Sequence, residues 1–327
     1  MHKANVVRNG LLWCVVTILL ASEALAQTYP VKPIRVIDGF PPGGSTDIVA
    51  RLVAPKFQQS QHQLWVVDNR PGAQGIIGAE AVAKAQPDGY TLLMFTATHT
   101  VHPSVYRSLP YEFPRAFAPV ALTSSVANVL VVHPSVPAHT VKELIALAKA
   151  NPGRLNFGAG GTGPQMTGEL FNSMAGTKMT HVSYKGGAPA VLATATGEVD
   201  LIFATMPTAI AYIRSGRLRP LGVCTAQRTV LMPELPTIAE AGVPGYEATN
   251  SVGVLAPAGT SRDIIGKLHQ EIMRIVALPD VRDRLLAAGI EPAATVMTPE
   301  QFGDYLRSEV AKWAKVVKAI GYEPQKW

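Results

Sequence analysis

The stretch PIRVIDGFPPGGSTDIVARLVAPKF, residues 33–57, decides the fold. Pro33 to Ile37 is an apolar run of strand length. Thr46 to Phe57 then places Ile48, Val49, Leu52 and Val53 on one face of a helical period. A strand that passes through a glycine-rich turn into a helix is the first half of a βαβ unit. Downstream, Leu64 to Val67 is strand-like, Ile76 to Ala85 is helical and stops before Pro87-Asp88-Gly89, and Thr91 to Phe95 reads as a buried strand. This rhythm predicts an α/β fold with a mainly parallel sheet flanked by helices on both faces.

The same rhythm restarts later in the chain. Thr140 to Ala150 is a helix closed by Asn151-Pro152-Gly153. Strands are expected at Leu155–Phe157, His181–Tyr184, Asp200–Phe203 and Leu221–Cys224, with helices between them. The C-terminal part offers one clear strand, Val252–Leu255, and then helices at Ser261–Ala277, Asp280–Ala288 and Pro299–Ile320. A piece with a single strand is a poor independent domain, so it is expected to complete the first unit. The resulting organisation is a discontinuous first lobe, residues 27–128 and 252–327, and a continuous second lobe, residues 129–251. Crossovers near 125–132 and 248–253 join the two.

Residues 1–26 stand apart from this fold. Lys3 and Arg8 precede the apolar run Leu11 to Ala21, which ends in Ala24-Leu25-Ala26 before Gln27. That is the pattern of a signal peptide cleaved after Ala26. The run is shorter than the roughly 20 residues a membrane span needs. Cys14 does not mark lipoprotein processing, because Trp13 precedes it where a small residue is required. The expected product is exported and keeps one thiol, Cys224, in a strand-like run where it is expected to be buried and inert.

Composition excludes several classes. The chain is 47% hydrophobic and 16% charged, too apolar for a solvating or disordered protein. Its 28 Gly and 26 Pro are spread throughout, which excludes a coiled coil. Two Cys cannot form a disulfide framework. A net charge of +6 without a basic block argues against nucleic acid as a partner.

The chemistry lies in two loops. In Phe40-Pro41-Pro42-Gly43-Gly44-Ser45-Thr46-Asp47 the glycines let a ligand approach the backbone, and Ser45 or Thr46 can cap the following helix. Free amides and the helix dipole at that end favour an anion, although an ordinary strand-to-helix turn has the same sequence. No Lys precedes Ser45, so this is not a nucleotide P-loop. Phe157-Gly158-Ala159-Gly160-Gly161-Thr162 repeats the F-x-x-G-G-[ST] pattern in the second unit. Two such loops across a cleft would suit a small ligand with two negative ends. Gly158 to Gly163 also matches G-x-G-x-x-G, but the acid needed about 20 residues on is missing, and His181 to Gly186 supplies a Lys instead. No cofactor is therefore expected.

No catalytic constellation emerges: the chain has no G-x-S-x-G, H-E-x-x-H or C-x-x-C motif. His99 and His102 lack an acidic or thiol neighbour to complete a metal site and read as surface or supporting histidines. Asp38 and Asp47 flank the first loop and read as a strand-end and a helix-start carboxylate rather than an acid/base pair.

These loops, together with Tyr29-Pro-Val-Lys-Pro-Ile-Arg35, Asp68-Asn-Arg-Pro-Gly-Ala73, Pro87-Asp-Gly-Tyr90, Val182-Ser-Tyr-Lys-Gly186 and Leu255-Ala-Pro-Ala-Gly259, resemble the substrate-binding proteins of tripartite tricarboxylate transporters, the Bug receptors. The blocks run in the family's order over essentially the whole chain after residue 26. The resemblance implies a two-lobed, type II-like periplasmic binding protein, here expected to be a monomer, with a ligand cleft between its lobes. It implies a small carboxylate ligand and, as partners, the membrane permease subunits of a transporter. By the same resemblance the ligand-binding residues are Pro41, Pro42, Gly43, Gly44, Ser45, Thr46 and Asp47 of the first loop. Thr96, Ala97 and Thr98 follow the Thr91–Phe95 strand, Gly160, Gly161, Thr162 and Gln165 belong to the second loop, and Ala204, Thr205 and Pro207 to a fourth segment.

Two positions depart from the family pattern. Asp38-Gly39 stands where the family has apolar residues and a Pro, and Ala204 stands where an Asp often occurs. Family members that bind amino acids can use that Asp for the ammonium, so Ala204 is expected to disfavour amino acids as ligands. The competing readings are a secreted α/β enzyme acting on a small carboxylate or ester, and a sensor that docks on a membrane signalling protein, which the sequence does not separate from transport.

Overall fold

The computed structural model describes residues 29–293 and 295–327. The expected signal segment, with its cleavage point after Ala26 and Cys14, lies outside the described residues. In chain order the elements are β1 (Ile34–Asp38), α1 (Ser45–Gln61), β2 (Trp65–Asn69), a 3-10 turn (Ala73–Gly75), α2 (Ile76–Ala83), β3 (Thr91–Thr96), α3 (Thr98–Val105), β4 (Phe117–Val126) and β5 (Asn128–Val132). They continue with α4 (Val141–Ala150), β6 (Asn156–Ala159), α5 (Thr162–Ala175), β7 (Thr180–Ser183), α6 (Gly187–Ala195), β8 (Leu201–Thr205), α7 (Met206–Arg214) and β9 (Arg219–Val223). The chain ends with β10 (Asn250–Pro257), α8 (Arg262–Val276), α9 (Pro279–Ala287), β11 (Glu291–Pro292) and α10 (Pro299–Ala319).

Two sheets result, ordered β11-β4-β10-β3-β1-β2 and β7-β6-β8-β5-β9. In the first, β1 pairs in parallel with β2 and β3. In the second, β6 pairs in parallel with β7 and β8. These are the two βαβ rhythms of the sequence. The remaining strands make both sheets mixed. β10 runs antiparallel to β3 and β4, and β5 runs antiparallel to β8 and β9. The reason lies in the crossovers: β4 leads directly into β5 through Ala127, while β10 carries the chain back. Two passages in opposite directions, laid side by side, must pair antiparallel.

Strand alternation divides the core. Ile34 and Val36 of β1 face Val49, Val53 and Phe57 of α1 and Leu268, Ile272 and Ile275 of α8. Ile37 faces the other way, into a cluster with Ile76 and Ala79 of α2 and Phe302 and Leu306 of α10. The core of the second sheet takes in residues from the first unit. Val101 and Val105 of α3 and Trp313 and Val317 of α10 pack with Phe157, Leu170, Phe171 and Phe203. The two units therefore share buried apolar surface beside their cleft, a strong cohesive contact.

Candidate functional site

Both glycine-rich loops lie at the carboxyl ends of parallel strands, β1 and β6, and lead into α1 and α5. In open α/β sheets such ends form the ligand crevice. The repeated six-residue pattern corresponds to repeated geometry. In each loop the second glycine, Gly44 or Gly161, is the N-cap, and Ser45 or Thr162 is the first helical residue. No side chain caps either helix. The expected cap from Ser45 or Thr46 is not made. Ser45 is already inside the helix, and the Thr46 hydroxyl donates to Asp38 Oδ1 at 3.0 Å instead. The first-turn amides of both helices remain available, and that end attracts an anion.

The first loop is held from below by two carboxylates with different electrostatics. Asp47 Oδ2 accepts from the Gly43 N–H at 3.0 Å, and Oδ1 accepts from Asn69 Nδ2 at 3.0 Å. Arg51 Nε lies 2.9 Å from both oxygens, and Asn69 Nδ2 also reaches the Phe40 carbonyl at 3.2 Å. Burial works to raise the Asp47 carboxyl, but these donors outweigh it and hold the group below its ordinary value. Asp47 is buried and engaged in shaping the loop. Asp38 is also buried, and its Oδ1 accepts from Phe40 N–H at 3.1 Å as well as from Thr46. Its Oδ2 has no partner among the described residues. Burial pushes this carboxyl up to about 7 against the two hydrogen bonds. Pro41, Pro42 and Gly43 are exposed, and Gly44 and Ser45 half-buried. A Cβ built at Gly44, where φ is −73°, would meet only the Pro41 carbonyl at 3.6 Å, so the protein leaves the space beside this backbone free.

The second loop packs more tightly. A Cβ at Gly160 would collide with the Gly186 backbone, and Gly161 has a φ of 140°. Glycine is required at both positions. Across the cleft, Gly161 abuts the Gln74 side chain, and a Cβ at Gly163 would come within 2.9 Å of Thr98 Oγ1. The first loop connects to the same point, since the Phe40 ring packs on Gly75, the residue after Gln74. Tyr106 Oη lies 3.5 Å from Thr162 Oγ1.

Between the units is a small cavity of about 40 Å³. Of the residues assigned from sequence, Ala97, Thr98 and Thr205 line it, together with Gly163, Pro164 and Thr167 of α5, whereas Pro41 to Asp47 and Gly160 to Thr162 do not. Thr96 is at its edge, with its hydroxyl donating to Asn250 Oδ1 at 2.8 Å. Gln165 is on the first turn of α5, and Pro207, on the first turn of α7, packs against Gly289.

Ala204 is placed differently. It is buried in an apolar cluster with Ala190, Val191 and Ala209, while its neighbour Thr205 lines the cavity. Strand alternation puts these two side chains on opposite faces of β8. The expected bias against amino acids rested on position 204 and has no carrier in this geometry.

Of the two alternatives for the histidines, the surface one is excluded. His99 and His102 are fully buried in α3, not on the surface, because α3 is wedged between the units. His99 Nδ1 is bonded to the Thr96 backbone, and burial lowers the ring to about 4. Neither ring nitrogen of His102 has a partner among the described residues. Burial, reinforced by His99, pushes His102 well down as well. Both rings are neutral. Among the described residues no cluster of His, Cys, Asp or Glu could hold a metal ion, and no helix is long and apolar enough to cross a membrane.

Asn128, Asn250 and Trp313 also line the cavity and are not foreseen from sequence. The two Asn sit on the crossovers, whose position was legible, but pairing across the crossovers was not. Trp313 is one apolar residue in a long amphipathic helix and carries no local signal of a site.

The sequence model of the tripartite tricarboxylate transporter family receptor matches residues 49–322. The chain belongs to this family. Among solved structures similar to the receptor is the R. palustris protein Rpa4515 with adipate, at 35% identity and a TM-score of 0.82, covering 91% of this chain and 100% of that one. The periplasmic binding protein BugD is 30% identical with a TM-score of 0.80, covering 91% of the receptor chain and all of its own. MatC from Rhodopseudomonas palustris, solved with bound malate, is 29% identical with a TM-score of 0.79, covering 88% and 100%. The receptor thus has the two-lobed α/β fold of periplasmic binding proteins.

Proposed function

We propose that this receptor is exported to the periplasm, with cleavage after Ala26, and captures a small carboxylate between two lobes without covalent chemistry. The lobes are residues 27–128 with 252–327, and residues 129–251. The captured ligand is delivered to the membrane subunits of a transporter. The observation that carries this reading is the paired geometry of the two loops. Each opens a helix with a glycine N-cap, each lacks a side-chain cap, and Gln74 and Gly75 link them at one cleft. Two positive helix ends linked through Gln74 and Gly75 suit a ligand with two anionic groups. Similarity to proteins solved with adipate and malate supports the dicarboxylate class. Pro41 to Ser45, Ala97, Thr98, Gly160 to Thr162, and Thr205 are the contact residues in this reading. Thr46 and Asp47 hold the first loop from behind.

Isothermal titration calorimetry with adipate and malate as probes tests it. At 100 times its dissociation constant a ligand stabilises the protein by about 2.7 kcal/mol, which a melting curve resolves. Binding without turnover is the expected result. Hydrolysis of a small ester, or indifference to a panel of mono- and dicarboxylates, would sink the reading.

A further inference from the structure

The first loop contains a group that its anion-binding role does not explain. Asp38 is a buried carboxyl whose two hydrogen bonds both come from the loop, from Phe40 N–H at 3.1 Å and Thr46 Oγ1 at 3.0 Å. Both reach the same oxygen, and Oδ2 is buried with no partner among the described residues. An ionised carboxylate in that position is poorly solvated. It also sets a negative charge under the same helix end that is proposed to receive the ligand's anion. Two anions competing for one positive helix end repel each other, and the weaker acid of the two takes up a proton.

We infer that Asp38 is a positioning residue that is a neutral carboxylic acid in the ligand-bound receptor, so that capture of a carboxylate by the first loop is coupled to uptake of a proton on Asp38 Oδ2. This rests on the proposed carboxylate site and deepens it. The ligand keeps its negative charge, and the proton comes from solvent.

Among the described residues, the surroundings of Asp38 leave no other source of compensation. Asp47 and Arg51 act on it from α1, with opposite signs, and are paired with each other at 2.9 Å. Its partners on the adjacent strands are Asn69 on β2 and Met94 on β3, neither of them charged. Arg70 reaches it only through its backbone N–H, at 2.7 Å to the Asp38 carbonyl, while its guanidinium is bound to Asp68. α8 turns Leu268 and Ile272 toward this face. His99, packed with Phe40 and Phe95 on the other side, is held neutral by burial. Among the described residues a nearby anionic ligand therefore finds only one group free to adjust its charge. The free group's value of about 7 places the adjustment within the range a periplasmic protein meets.

The test is the pH dependence of adipate affinity, measured by calorimetry from pH 6 to pH 9, in the wild type and in Asp38→Asn. Asparagine keeps the shape and the acceptor oxygen but cannot titrate. If binding raises the Asp38 pKa by one unit, wild-type affinity falls about tenfold across this range. Asp38→Asn should bind with an affinity that does not change with pH. Heats measured in two buffers of different ionisation enthalpy should show proton uptake in the wild type alone. Equal pH slopes in the two proteins would overturn the inference while leaving the carboxylate site intact. Failure of adipate and of every other carboxylate to bind would instead strike the proposed function. In that event a carboxyl carbon NMR titration of Asp38 in the free protein still decides. An ordinary titration near pH 4 overturns the inference, and one near neutrality upholds the neutral acid on which it depends.

Discussion

The Gln74 side chain rests against Gly161, and so joins the turn after β2 to the N-cap of α5 in the other unit. Gln74 adopts a left-handed φ of 57° and follows Ala73 at 45°. Two successive non-glycine residues in that region cost of order 1–3 kcal/mol each. The turn accepts this strain while it brings the amide across the cleft.

The two N-cap glycines should respond differently to substitution. Gly44 has an ordinary φ and free space beside it, so Gly44→Val should fold, with its melting free energy within about 1 kcal/mol of wild type. Its affinity for adipate should nevertheless collapse, because the added methyls fill the approach to the loop. Gly161→Ala meets a positive φ and the Gln74 amide, and should cost of order 1–3 kcal/mol in stability before any ligand is added. Equal affinities in Gly44→Val and wild type would mean that the first loop does not touch the ligand.

Arg51 and Asp47 should matter mainly through the shape of the first loop. Arg51 is half exposed, so the ion pair itself contributes little. Removing it leaves a buried carboxylate with two neutral donors, and Arg51→Ala should destabilise by about 1–2 kcal/mol. The Asp47 carboxyl is held below its unfolded value, so its contribution is present above roughly pH 4 and is lost as pH falls through the lowered folded value. Chemical denaturation at pH 7 and pH 3 checks both statements. A variant as stable as wild type at pH 7 would show that Asn69 and Gly43 suffice.

Acid lability should also come from the histidine pair. Buried neutral His99 and His102 have folded values below the ordinary value of about 6.5, so the unfolded chain binds more protons as pH drops below that point. Their contribution to stability is thus present above about pH 6.5 and declines toward pH 4, by up to about 1.4 kcal/mol per pH unit for each ring. His102→Leu removes two unpartnered ring nitrogens as well as the titration. Its unfolding free energy should equal or exceed that of wild type at pH 7.5 and exceed it clearly at pH 5. Asp38, with its raised value, contributes in the opposite sense over this interval, so the comparison is between variant and wild type: a His102→Leu advantage that does not grow from pH 7.5 to pH 5 would refute the burial argument.

Position 204 shows how far sequence carried and where it stopped. The strand Asp200–Phe203, the loop after it and its neighbourhood to the cleft were all legible, because apolar runs and punctuation by Pro and Gly are local signals. Which face of β8 each residue takes depends on pairing with β5, register Val129↔Ala204, and β5 itself was not foreseen as a strand. The glycine loops were legible because they need special backbone at fixed offsets. Asn128, Trp313 and the burial of His99 and His102 were not, because they follow from how two units meet. Asp47 was assigned to the ligand from family resemblance, whereas its side chain is engaged by Gly43, Asn69 and Arg51. The corresponding expectation for Ala204→Asp is a folding defect: a carboxylate placed among Ala190, Val191 and Ala209 should cost about 3 kcal/mol or more and deplete soluble protein. A folded Ala204→Asp protein with altered ligand preference would reverse this placement.

Trp313 offers a direct view of closure. It sits on α10, which packs on the first sheet through Phe302 and Leu306, yet its indole is buried with Leu170 and Phe171 of α5 and lines the cavity between the units. The other described tryptophans report elsewhere: Trp65 packs on Phe57 in the first sheet's core, and Trp327 is about half exposed. With Trp65 and Trp327 replaced by Phe, emission from a chain that begins at Gln27 isolates Trp313. If the proposed dicarboxylate is taken into this cavity of about 40 Å³, the units separate and close again around it. Separation wets the indole and closure dries it, so saturating adipate should shift the emission to shorter wavelength. The indole nitrogen has no hydrogen-bond partner among the described residues, so Trp313→Phe strands no polar group; it should fold, at a cost of about 1–3 kcal/mol for the volume lost, and lose the signal. Adipate binding by calorimetry without any change in Trp313 emission would place the pivot at α10 itself, with the opening confined to the side of the cleft where Gln74 meets Gly161.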